Sequence, residues 1–90
     1  PAAPTLVTPV PEQAQPGAQV VLEVEGVDAN LFVGCEVSPG ECAVTNIDRA
    51  ASTAQVVWTM PGEPGFSSIA LVAGERRSFE VFARAHVQVR

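Results

Sequence analysis

Ninety residues, 47% of them apolar and 17% charged, suffice for one small domain and are too hydrophobic for a disordered tail. Ten acids against five bases give a net charge of −5, which argues against a phosphate-binding surface and so against nucleic acid as a partner. No apolar run approaches the roughly 18 residues that cross a bilayer as a helix, and no membrane insertion is expected.

Residues 1–16 hold five prolines, Pro1, Pro4, Pro9, Pro11 and Pro16. Proline cannot donate to a ladder, so this segment is expected to be an arm or linker with a possible edge strand at about 5–10. Residues 17–90 are expected to form the single domain. Their apolar residues recur with period two and are interrupted by Pro and Gly, the mark of short strands separated by turns. Strands are expected at about 18–25, 30–37, 42–48, 53–59, 67–73 and 78–89. In the second strand Val20, Leu22 and Val24 face inward, against Glu23 and Glu25. Val56, Trp58 and Met60 alternate in the same way around Val57. The last strand places Phe79, Val81, Ala83, Ala85, Val87 and Val89 inside, with Phe82, Arg84 and His86 outside. Pro16-Gly17, Ser38-Pro39-Gly40 and Pro61-Gly62 have the residues that close turns at little steric cost. The expected fold is all-β, an immunoglobulin-like sandwich of about seven antiparallel strands. The chain opens on Pro1 and alternates up to Arg90, which fits a processed chain or a module with neighbouring domains in a longer one.

Two resemblances can be stated. The opening Pro4-Thr5-Leu6-Val7 with Pro9, the run Pro16-Gly17-Ala18 to Gly26, and Val56-Val57-Trp58-Thr59-Met60-Pro61 followed by Gly65 resemble bacterial immunoglobulin-like modules of the IPT/TIG sort. The resemblance covers nearly the whole chain and implies a two-sheet sandwich. Tyrosine is absent, and with it the tyrosine corner of antibody domains. Over fewer than ten residues, Ala3-Pro4-Thr5 with Val7-Thr8-Pro9 resembles the enediyne chromophore-binding apoproteins. Those have two disulfides, whereas this chain has one cysteine pair.

The residues that could carry chemistry are few. Lysine is absent, which excludes Schiff-base and P-loop chemistry, and a lone His86 cannot build a multi-histidine metal site. Glu23 and Glu25 share a strand face through alternation alone, and Asp28 and Asp48 do not form a calcium-loop pattern. No enzyme activity, metal or cofactor is expected. Cys35 and Cys42 would lie opposite each other if Val37 to Gly40 close a four-residue hairpin. A structural disulfide is the reading taken, with two buried thiols as the alternative; the disulfide implies an oxidising setting that is extracellular, cell-surface or periplasmic. Leu6, Val7, Val21, Val57 and Phe82 are apolar at edge or outward positions and are the interface candidates.

The expected role is therefore a non-catalytic structural or interaction module, such as a filament subunit, surface-protein repeat or adhesin spacer. It would bind protein partners or copies of itself through sheet edges and an outer apolar face. A small-ligand or carbohydrate-binding accessory domain is the alternative.

Overall fold

The computed structural model describes residues 3–90; Pro1 and Ala2, with which the proline-rich segment begins, lie outside the described residues. Among the described residues the chain forms eight strands and no helix: β1 Thr5–Leu6, β2 Gln13–Ala14, β3 Gln19–Glu25, β4 Phe32–Ser38, β5 Glu41–Asp48, β6 Thr53–Thr59, β7 Gly65–Glu75 and β8 Ser78–Val89. They make two four-stranded sheets, β1-β3-β6-β5 and β2-β8-β7-β4.

Eight strands replace the expected seven because the proline-rich segment does not run as one strand. Thr5–Leu6 pairs antiparallel with β3, and Gln13–Ala14 pairs parallel with β8. Between them Pro9 and Pro11 lack ladder donors, and the chain leaves one sheet for the other there. The segment thus edges both sheets, and the β2–β8 pair is the parallel exception in an antiparallel fold.

The inner faces meet over Leu22, Val24, Val56 and Trp58 from the first sheet and Ile69, Leu71, Val87 and Val89 from the second, all essentially removed from water. This is the burial that drives two half-apolar sheets together, at about 25 cal/mol per Å² of apolar surface. Val20, expected in the core, is half-buried and packs against it.

Trp58 is fully buried, and its indole would be unpaired there without Ser67. Ser67 takes an inward position of β7 that alternation would give to an apolar residue. Its Oγ accepts the Trp58 Nε1–H at 2.9 Å and donates to the Pro39 carbonyl at 2.6 Å. One hydroxyl therefore ties β6, β7 and the β4–β5 turn together. That turn holds a cis Ser38–Pro39 bond, and Gly40 at φ +126°, where a Cβ would stand 2.7 Å from the Thr59 carbonyl oxygen.

Cys35 and Cys42 are joined by a disulfide, with Cα atoms 6.3 Å apart. The expected hairpin around it is corrected. β4 pairs with β7 and β5 with β6, so Pro39-Gly40 is a corner between sheets, not a hairpin loop. The bridge clamps the two sheets together along one edge. Closing so short a loop stabilises by roughly 2–2.5 kcal/mol in the chain-entropy account.

Two bulges decide which residues face out. In β5, Val44 pairs with Val56 and Asn46 with Gln55, which leaves Thr45 unpaired. In β8, Ala83 pairs with Leu71 and Val81 with Val72, which leaves Phe82 as the extra residue. One inserted residue turns the rest of a strand over. Phe79 and Val81, expected inside, are consequently 46% and 43% exposed, while Phe82, expected outside, packs against the core.

Candidate functional site

The outer face of the second sheet gathers the largest exposed apolar side chains, Phe32, Phe66 and Phe79. Residues directly opposite on antiparallel strands share a face, so its rows follow from register. At one end Phe32, Gly74 and Phe79 form a row, and Gly34, Val72 and Val81 form the next. Phe32 is 53% exposed, so with Phe79 and Val81 two adjacent rows present an aromatic and aliphatic patch to water. Gly74 is imposed by the backbone: a Cβ there would lie 1.7 Å from the Ser78 carbonyl oxygen.

The Phe32 end of the patch is held in place by Arg49. Arg49 donates through Nη1 to the carbonyls of Asp28 at 2.9 Å and Leu31 at 2.7 Å, which fixes the loop that enters β4. Its guanidinium carbon lies 5.9 Å from the Phe32 ring centroid, within reach of a cation–π contact.

The central rows are polar and small. Glu36, Ala70 and Arg84 make one, and Ser38, Ser68 and His86 the next. These six residues line a shallow depression of about 550 Å³. Beyond it Phe66 stands exposed opposite Gln88, with its ring edge-on to His86 at 6.0 Å between centroids. The exposed face thus runs from an aromatic end through a charged middle to a second aromatic.

The first sheet's outer face is different. Val21, Val57 and Ala43 form one apolar row across β3, β6 and β5. Around it stand Glu41, Glu23, Glu25 and Asp48, with the Gln55 amide donating to the Glu23 carboxylate at 3.3 Å. Val7 lies exposed beside Glu23, where its N–H donates to the Glu23 carbonyl at 3.0 Å and Thr8 Oγ1 accepts the Glu23 N–H at 2.7 Å.

The sequence-derived candidates therefore divide. Val7, Val21 and Val57 share the first sheet's outer side, whereas Leu6 and Phe82 pack against the core. Phe32, Phe66, Phe79 and Val81 were not among them. The exposure of Phe79 and Val81 depends on the β8 bulge, which nothing in the local sequence marks. Phe32 and Phe66 do carry a signal in the sequence, since each lies at the start of a strand next to turn residues and alternates out of phase with its core positions. Among the described residues no three His, Cys, Asp or Glu side chains converge as metal ligands. Comparison with protein-family models, with curated proteins and with solved structures finds no match.

Proposed function

We propose that this chain is an immunoglobulin-like interaction module of an oxidising, extracellular-type setting, non-catalytic, and working through the outer face of its second sheet. The immunoglobulin-like reading is supported by strand order. β1-β3-β6-β5 against β8-β7-β4 corresponds to the ABED and GFC sheets of that fold, with β2 as an added edge on the second. The disulfide supports the setting. The observation that carries the contact role is the patch of Phe32, Phe79, Val81 and Val72, a contiguous apolar surface on a chain whose net charge of −5 otherwise keeps it in water.

A photo-reactive side chain placed at position 79 tests this in an extract of the source organism, with the same group at position 55 on the opposite sheet as control. Protein adducts from position 79 in clear excess over position 55 are expected. Equal yields, or none from position 79, overturn the reading. The depression over Ser68 and Ala70 favours a second reading, a binding place for a small ligand or sugar. Saturable shifts of those two amides on titration with soluble polysaccharides or small apolar ligands would favour it, and their absence would dismiss it.

A further inference from the structure

We propose that the occupant of this face is a second copy of the chain, bound across a two-fold axis that runs along β7; the inference rests on the contact role above. The rows are self-complementary about that axis. Strand β7 lies between β4 and β8, so rotation about it lays β4 of one copy over β8 of the other. Glu36 then meets Arg84 of the second copy, and Arg84 meets Glu36 of the second copy, around facing Ala70 residues. The same rotation lays the apolar ends together, with Phe32 toward Phe79 and the Gly34–Val72 pair toward Val81. Two packed sheets cross at about 30°, which displaces matched rows least at the centre, where the charge pairs stand.

The other arrangements fit worse. A two-fold axis across the strands sets Glu36 against Glu36 and Arg84 against Arg84, and like charges face to face cost association. Pairing through the first sheet sets Glu23, Glu25, Glu41 and Asp48 against the same four acids. Association through the second sheet instead covers a face balanced at its centre and leaves those acids in water. Area is sufficient, since a molecule 38 by 23 Å across offers a face comparable to the roughly 800 Å² per partner of a specific interface. An isologous contact of this kind closes at two copies.

Sedimentation equilibrium on the 90-residue chain tests this with E36R and R84E, both exposed positions whose variants should keep the thermal midpoint. The unmodified chain is expected to populate monomer and dimer, and each single reversal to weaken dimerisation by at least about tenfold. An equimolar mixture of E36R and R84E should recover it, because one chain then offers two cations to the two anions of the other. A mixture no stronger than its components overturns the two-fold pairing. Growth past dimer overturns it in favour of a head-to-tail contact. A strict monomer that still gives adducts at position 79 removes the second copy and leaves the contact role standing, whereas a strict monomer without adducts removes both.

Discussion

Ser67 is a polar residue at a core position, and the molecule depends on it. A buried indole N–H and the part-buried carbonyl of Pro39 share its hydroxyl. A buried polar group left without a partner costs about 1–3 kcal/mol, against about 1 kcal/mol net for a hydrogen bond that is made. Ser67→Ala is therefore expected to lower unfolding stability by about 2 kcal/mol in urea titration. Prior replacement of Trp58 by Phe removes the donor, so the same substitution should cost distinctly less in that background. An equal cost in both backgrounds would mean that Ser67 acts through the Pro39 carbonyl alone. The core role of Trp58 was legible from alternation with Val56 and Met60. Ser67 was not, because a serine on an inward position looks like a strand boundary until its partner, nine positions back in sequence, is in place.

At the scale of elements, the sequence is legible where strands are regular. β3 and β6 fall where alternation puts them, Gln19–Glu25 and Thr53–Thr59, because each has one apolar side from end to end. It is illegible where pairing is decided at long range. Alternation places Cys35 and Cys42 inward whether β4 and β5 pair or change sheets, so the disulfide could be read and its sheet-to-sheet setting could not. Residues 5–10 read as one strand, yet the strand there is only Thr5–Leu6, and a second one at Gln13–Ala14, outside that range, pairs in the other sheet. The β8 bulge is the costliest omission, since it exchanges the faces of Phe82 and Val81. That exchange has a measurable consequence. Phe82→Ala should cost about 2 kcal/mol, because a half-buried aromatic loses its core contacts, and Val81→Ala less than about 0.5 kcal/mol. Thermal or urea unfolding of the two variants reads the difference, and the reverse order would restore the unbulged register.

The whole molecule has two unlike faces on one rigid body. The first sheet turns four acids and a narrow valine row to water, and the second turns an aromatic patch and a balanced charge pair. The disulfide and the Trp58–Ser67–Pro39 chain lock the sheets together, so the second face is presented with little freedom to rearrange. Rigidity of that kind lowers the ordering cost of association. Composition alone signalled that so apolar a small domain would leave apolar surface outside, but not on which side. The central claim is that the second sheet's outer face, and not the first's, is the surface through which copies of the chain associate. A methyl spectrum of the unmodified chain recorded over a dilution series tests it most directly. Val72, Val81 and Ala70 are expected to shift together with concentration, while Val21, Val57 and Ala43 stay fixed. Shifts that gather on Val21, Val57 and Ala43 instead, or none at any of these sites up to about 1 mM, where contacts of about −4 kcal/mol register, would contradict the account.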